Sequence, residues 1–115
     1  MAEKNFFQIL GEETPEIMSG FFDYAGKIQK QGGLDDKTFN LVYIALQASR
    51  GQVASVVGHT MMAKGLGATR EEIRGAIITT MMTDGINGVN ACLGAALDAY
   101  DAPAPAGPGG PPPAK

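Results

Sequence analysis

Residues 58–73 read GHTMMAKGLGATREEI, and they predict the end of one helix and the start of another. The glycine-rich stretch 64–68 ends the first helix, because glycine takes up the left-handed conformation that commonly follows a helix C-terminus. Thr69 and Glu72 then fit a capping box, in which the threonine hydroxyl accepts a hydrogen bond from the Glu72 amide and the Glu72 side chain reaches back. The segment therefore predicts two helices joined by a short turn.

Helix signals continue on both sides of this segment, and no strand-like alternation of any length interrupts them. Residues 14–16 (TPE) are typical of a helix start with Thr14 as the N-cap, and the glycines at 32–33 are typical of its end. Asp35 can cap a second helix, and a break at 84–85 precedes the last one. The sequence therefore predicts an all-α fold of about five to six helices, with short connections and largely antiparallel neighbours.

The composition predicts one helical domain over residues 1–101 and a Pro/Gly/Ala-rich disordered tail over 102–115. The tail, APAPAGPGGPPPAK, carries most of the prolines of the chain, and proline removes the backbone donors that a packed core needs. A segment that binds a proline-recognising partner is the second interpretation of this tail. The last helix, VNACLGAALDAY at 89–100, is too apolar to have one face in water. We therefore expect other copies of the chain to complete its burial.

Charge and composition exclude several classes of protein. The net charge of −3 comes without a dense Lys/Arg run, which argues against nucleic-acid binding. The apolar runs are too short to span a bilayer, and the N-terminus lacks a signal-peptide pattern, so a cytoplasmic protein is expected. The single cysteine, Cys92, allows no internal disulfide or dithiol centre and is expected to act as a small buried hydrophobe.

Three segments carry a resemblance to a known family: LDDKTFNLVYIALQAS at 34–49, the segment 58–73, and MTDGINGVNACLGAAL at 82–97. Over residues 34–100 the chain resembles the carboxymuconolactone decarboxylase family, which includes the AhpD-like alkyl hydroperoxidases. This resemblance implies an all-α, AhpD-like fold that assembles as a homotrimer or a homohexamer.

The resemblance also identifies candidate site residues. The redox members of the family carry Cys-x-x-Cys-x-x-x-His on one helix and a glutamate on the preceding helix. Aligned on His59, the two cysteine positions hold Gln52 and Ser55, and the glutamate position falls at about Asn40. Because a serine can neither form a sulfenic acid nor close a disulfide, thiol hydroperoxidase activity is rejected. The decarboxylase branch lacks the cysteine pair and keeps a histidine; it implies an anionic lactone substrate and no metal or organic cofactor.

His59 and Ser55 are therefore the candidate catalytic residues, and Gln52, Asn40 and Arg50 are the candidates for substrate binding. Gln52, Ser55 and His59 would share one face of a helix, with Asn40 beside them from the neighbouring helix. His59 would act as the acid/base of a cofactor-free decarboxylase, or of a related lyase or isomerase, on a small carboxylated ring compound. Ser55 and Gln52 would orient the substrate, and Arg50 would pair with its carboxylate.

Charge near His59 in the sequence fits an anionic ligand. No Asp or Glu occurs between Lys37 and Arg70, whereas four basic residues do: Lys37, Arg50, Lys64 and Arg70. Too few ligands lie near His59 for a metal site within one subunit, although three copies of His59 around a threefold axis could provide one. Two competing hypotheses stay open, namely that His59 is a structural core histidine and that the chain is a non-catalytic oligomer binding a small anion or a protein.

Overall fold

A computed structural model describes residues 4–103, and all regular structure in that range is helical. The helices are α1 (Phe6–Glu13), α2 (Pro15–Gln31), α3 (Asp36–Ser49), α4 (Val53–Gly65), α5 (Arg70–Thr79), α6 (Met81–Asp84) and α7 (Asn87–Asp101). The all-α prediction is confirmed, with seven helices in the described range, of which α6 is a single turn. Most of the predicted tail, residues 104–115, lies outside the described residues.

The chain divides into two units, Met1–Asp35 and Asp36–Lys115. The first unit holds α1 and α2, which pack through phenylalanine rings. The centroid distances are 4.2 Å between Phe6 and Phe7, 5.4 Å between Phe7 and Phe22, and 5.5 Å between Phe21 and Phe22. Neither helix contains a buried residue.

Helix α1 was not predicted, although its start carries a signal. Asn5 and Gln8 form a reciprocal capping box, with 2.8 Å between the Asn5 amide nitrogen and Gln8 Oε1 and 2.8 Å between the Gln8 amide nitrogen and Asn5 Oδ1. This helix also corrects the role of Thr14. Thr14 is the N-cap of α2 by position, but its hydroxyl donates to the Leu10 carbonyl at 3.2 Å and makes no capping bond. The side chain turns back because α1 ends directly before it.

The second unit has a core of small and branched side chains. The buried members lie on α3, α4, α5, α7 and the turn before α5: Ile44, Ala48, Val56, Ala63, Ala68, Ile73, Ile77, Cys92 and Ala96. Cys92 is a small buried hydrophobe, as predicted, and burial raises the pKa of its thiol. Since so many of these side chains are small, the helices can approach closely.

A very close helix approach joins α3 to α7 at Gly88. A Cβ atom on Gly88 would lie 2.3 Å from the Ala48 carbonyl oxygen, so only glycine fits this position. The neighbouring Gly85 has a φ of 75°, which makes the turn between α6 and α7. The break that the sequence predicted at 84–85 is therefore confirmed as a turn.

The start of α5 also agrees with the sequence. The Glu72 amide donates to the Thr69 hydroxyl at 3.0 Å, and the Thr69 amide donates to Glu72 Oε1 at 2.8 Å. Lys37 on α3 pairs with Glu72 at 3.1 Å. The amide of Thr69 and then Lys37 lower the pKa of the Glu72 carboxyl. The prediction that this helix runs on to the break at 84–85 is wrong, since α5 ends at Thr79 and the separate turn α6 follows.

The C-terminal end of α7 is tied to the α4–α5 region. The Tyr100 hydroxyl donates to the Ala68 carbonyl at 2.7 Å, and Lys64 donates to the Tyr100 carbonyl at 2.6 Å. Arg70 makes two hydrogen bonds to Asp101, at 2.9 and 3.1 Å. These contacts occupy Lys64 and Arg70, two of the four basic residues that surround His59 in the sequence.

Replacement of Gly88 by alanine is expected to destabilise the protein by about 1–3 kcal/mol, because the added methyl group meets the rigid backbone of α3. Gly94→Ala is the matched control, since no atom lies within 4 Å of the Cβ that would be added there. That variant is expected to raise the free energy of unfolding by about 0.5–1 kcal/mol through helix propensity. Urea unfolding measures both values, and equal effects of the two substitutions would contradict the close approach.

Thr60 on α4 is fully buried, and its hydroxyl has no hydrogen-bond partner among residues 4–103. Thr60→Val is therefore expected to raise the free energy of unfolding by about 1–2 kcal/mol, since it removes an unsatisfied polar group while keeping the shape. Thr80→Val is the control, because that buried hydroxyl donates to the Ile77 carbonyl at 2.7 Å. It should lower stability by about 0.5–1.5 kcal/mol. A loss of stability in Thr60→Val would refute the prediction.

Candidate functional site

Five polar and aromatic side chains meet where α3 packs against α4. Asn40, Tyr43 and Gln47 stand three and four residues apart on α3 and so share one face of that helix. Ser55 and His59 stand four apart on α4. We call these five residues the polar cluster. All five belong to the second unit of the chain.

His59 is held by the amide of Asn40. The His59 Nδ1 and Asn40 Oδ1 atoms are 2.9 Å apart, and Asn40 Nδ2 donates to the Asp36 carbonyl at 2.9 Å. Because Asp36 fixes which end of the amide is the donor, the oxygen of Asn40 faces the imidazole. In the neutral ring Nδ1 must then carry the proton, and Nε2 keeps the lone pair. Asn40 itself is only 3% exposed, so this arrangement is shielded from solvent.

Tyr43 stacks on the imidazole. The two ring centroids are 3.7 Å apart with an interplanar angle of 21°. Asn40 at one ring nitrogen and Tyr43 on one face together restrict rotation of the imidazole. Burial lowers the pKa of His59, so the neutral form predominates at neutral pH.

The hydroxyl groups of Ser55 and Tyr43 are joined by Gln47. Gln47 Nε2 donates to Ser55 Oγ at 2.9 Å and lies 3.5 Å from the Tyr43 hydroxyl oxygen. The Ser55 hydroxyl donates to the Tyr43 oxygen at 3.3 Å. Ser55 is thus bonded to α3, and no hydrogen bond joins it to His59 within the described residues.

Arg50 and Gln52 lie on the turn between α3 and α4. Their backbone amides both donate to the Gln47 carbonyl, at 3.1 and 3.0 Å. Their side chains are exposed and make neither an ion pair nor a hydrogen bond within residues 4–103. Gln52 is the N-cap of α4 and has a non-helical conformation. The prediction that it shares a helical face with Ser55 and His59 is therefore wrong, because the helix begins one residue later.

The structure brings three of the predicted site residues, Asn40, Ser55 and His59, into one cluster, and it adds Tyr43 and Gln47. Sequence reasoning had proposed neither Tyr43 nor Gln47 as a site residue. The usable signal was the spacing of Asn40, Tyr43 and Gln47, which forms a polar stripe on the helix before the histidine.

The electrostatic surroundings differ from the sequence expectation. Lys37 and Arg70 are paired with Glu72 and Asp101, acids that lie outside the acid-free segment of the sequence. The partner of His59 is the neutral Asn40. Arg50 differs from these residues. Its side chain is exposed, and it makes neither an ion pair nor a hydrogen bond in the described part of the chain.

Other features of residues 4–103 offer little chemistry. No group of three or more His, Cys, Asp or Glu side chains there could hold a metal ion. No helix in that range is both long and apolar enough to cross a membrane. An open groove runs along α2, but none of its lining residues is a predicted site residue: Phe22, Asp23, Gly26, Lys27, Lys30 and Gln31.

The free energy of unfolding is expected to fall as the pH drops below 6.5, the usual pKa of histidine. Burial lowers the pKa of His59 in the folded state, so between that lowered value and the usual one the unfolded chain binds the proton more readily. At higher pH both states are neutral at this residue, and the effect vanishes. Urea unfolding between about pH 7.5 and about pH 5.5 measures the slope of the free energy of unfolding against pH.

Two variants isolate the contribution of His59 to that slope. His59→Asn should remove it, and Asn40→Asp should reverse it, because a carboxylate at Nδ1 raises the pKa of the imidazole by about 1–3 units. Asn90→Asp, an exposed position on α7, controls for the added charge. A wild-type stability that falls no faster than that of His59→Asn would contradict the assignment.

A comparison with protein-family models gives a match over residues 15–98 to the model described as the carboxymuconolactone decarboxylase family. No curated protein and no solved structure matches the chain. The match spans all of α2, α3, α4, α5 and α6 and most of α7, and it includes the whole polar cluster. The chain belongs to the carboxymuconolactone decarboxylase family.

Proposed function

We propose that this protein is a cofactor-free decarboxylase, or a related lyase or isomerase, that acts on a small carboxylated ring compound with His59 as the acid/base. One observation carries the proposal: Asn40 occupies Nδ1 of His59 and leaves Nε2 with a lone pair on an oriented, neutral imidazole. A general base needs this combination of a fixed tautomer and an unprotonated resting state.

In the isomerase reaction, Nε2 takes a proton from a carbon next to the substrate carbonyl, and the electron pair of that C–H bond forms an enolate. The imidazolium then returns the proton to a different carbon, and His59 is neutral again. In the decarboxylase reaction the C–CO₂ bond breaks, carbon dioxide leaves, and its electron pair forms the same type of enolate. Nε2 of the neutral His59 takes up a proton from solvent, the resulting imidazolium gives this proton to the carbon, and His59 is neutral again.

The other candidate residues have distinct parts in this proposal. The exposed Arg50 binds the substrate carboxylate, and Gln52 on the same turn helps to orient the ring. Asn40 is a positioning residue, since both ends of its buried amide are engaged. Ser55 orients the substrate through its cluster partners. A role as nucleophile is not supported, because the Ser55 hydroxyl is bonded to Gln47 and Tyr43.

Thiol hydroperoxidase activity is not proposed. Positions 52 and 55 hold glutamine and serine, and the single cysteine of the chain, Cys92, is buried in the core of the second unit. The chemistry of that branch needs an accessible thiolate and a second thiol.

A second candidate function is non-catalytic binding of a small anion or a protein by an oligomer. The replacement of two cysteines and one glutamate of the redox motif by Gln52, Ser55 and Asn40 favours it, since these changes remove one chemistry of the family. The turnover experiment below separates the two candidates.

Conversion of a panel of lactone carboxylates, followed by release of carbon dioxide and by NMR, tests the enzyme. His59→Ala is expected to lower kcat by about 10²–10⁴-fold, the usual contribution of a general acid/base. Arg50→Gln should raise KM instead, because it removes a contact to the carboxylate. Arg74→Gln, exposed on α5, is the charge-matched control. Turnover that survives in His59→Ala would refute the acid/base role, and a panel without any turnover would favour the binding function.

We also propose that the protein is cytoplasmic and assembles as a homotrimer or a homohexamer. The exposure of large apolar side chains supports assembly. None of the residues of α1 and α2 is buried. Leu46, Met82 and Ile86 are 60%, 85% and 63% exposed. Light scattering after size exclusion is expected to give three or six times the monomer mass of 12.0 kDa. A monomer at micromolar concentration would contradict this expectation.

A further inference from the structure

The hydrogen bonds between Gln47, Ser55 and Tyr43 run in one direction. An amide NH₂ group only donates, and Gln47 Nε2 donates to Ser55 Oγ at 2.9 Å. The Ser55 hydroxyl passes its own hydrogen to the Tyr43 oxygen at 3.3 Å. The Tyr43 oxygen also lies 3.5 Å from Gln47 Nε2. The chain of donors therefore ends at the hydroxyl of Tyr43.

The hydrogen of the Tyr43 hydroxyl has no acceptor within residues 4–103. Its oxygen already receives two donors, and successive hydrogen bonds in a chain polarise one another, which strengthens the last O–H as a donor. Tyr43 is partly exposed, so the residue is not enclosed in the core. The same ring stacks on His59, and this places a free donor on the residue that contacts the proposed base.

We propose that the Tyr43 hydroxyl is the hydrogen-bond donor to the oxyanion of the substrate, and that Gln47 is the positioning residue that aims it. This inference rests on the proposed function, in which loss of carbon dioxide or of a proton leaves negative charge on the carbonyl oxygen of the ring. A donor aimed at that oxygen stabilises the enolate more than the neutral carbonyl, and so lowers the barrier.

The composition of the cluster supports an anionic ligand of this kind. Asn40, Tyr43, Gln47 and Ser55 are all uncharged, so no carboxylate of the cluster repels an enolate. The exposed Arg50 sits on the turn that the Gln47 carbonyl holds. The class of substrate is therefore a ring with two oxygen groups, a conjugated carbonyl for Tyr43 and a carboxylate for Arg50.

Tetronate is a suitable probe, because it is a five-membered lactone whose enolate is the stable form at neutral pH. The neutral lactone 2(5H)-furanone has the same ring without the charge. Binding of each is followed by the NMR signals of His59, the only histidine of the chain. The wild type is expected to bind tetronate more tightly than the furanone. Tyr43→Phe should weaken tetronate binding by about 10–100-fold and leave furanone binding nearly unchanged.

Gln47→Glu tests the direction of the hydrogen bonds between Gln47, Ser55 and Tyr43 with almost no change in side-chain shape. A carboxylate only accepts, so Ser55 would donate to Glu at 47 and Tyr43 would donate to Ser55, and the free hydrogen would be consumed. We expect a loss of tetronate binding like that of Tyr43→Phe. In the Tyr43→Phe background, Gln47→Glu should not weaken tetronate binding any further. Repulsion between the new carboxylate and tetronate would instead weaken binding equally in both backgrounds. Gln31→Glu on α2 controls for net charge.

The pH titration of His59 and a thermal melt accompany each variant. Tyr43→Phe keeps the stacked ring, so the pKa of His59 and the folded state should stay as in the wild type. Tetronate that leaves the His59 signals of the wild type unchanged, or that binds Tyr43→Phe as tightly as the wild type, would overturn the inference. If His59-dependent turnover is nevertheless found, the proposed function stands and only the donor is wrong. If tetronate binding depends on Tyr43 but no lactone is turned over, the donor stands and the enzyme is wrong.

Discussion

The hydrogen bond between Asn40 and His59 is the interaction on which the candidate site depends. It crosses from α3 to α4, and it exists only because Asn40 is buried between the helices and turned by the Asp36 carbonyl. The bond selects one tautomer of the imidazole and leaves the lone pair on Nε2. A glutamate at this position would bring a charge and hold the histidine as an imidazolium. The asparagine leaves the imidazole neutral, and a neutral imidazole can accept a proton.

Close packing around α3 makes this bond possible. One face of α3 presents Asn40, Tyr43 and Gln47 to α4, and its C-terminal turn meets α7 where Gly88 allows contact with Ala48. A helix held from both sides has little freedom to rotate or slide, since interiors packed at this density resist even small shifts. Hydrogen bonds of 2.9 Å between side chains of different helices need that rigidity, because their strength falls off within a few tenths of an ångström.

The charges of the second unit are arranged to leave the polar cluster neutral. Glu72 and Asp101 pair with Lys37 and Arg70, so these four charges balance in two pairs. Arg50 stays exposed beside the cluster. An anionic substrate would meet one free guanidinium and several uncharged donors. This pattern suits chemistry in which negative charge develops on the ligand during the reaction.

The sequence by itself determined the helices α2, α3, α4, α5 and α7 and the capping box at Thr69. These features depend on neighbours within four residues, so local patterns encode them. Only the tertiary structure decided that Thr14 bonds back to α1, that Gln52 precedes its helix, that Lys37 and Arg70 are neutralised, and that Tyr43 and Gln47 join the site. Each of these facts depends on how one helix is rotated and placed against another. That placement follows from the packing of the whole core, which no local pattern specifies.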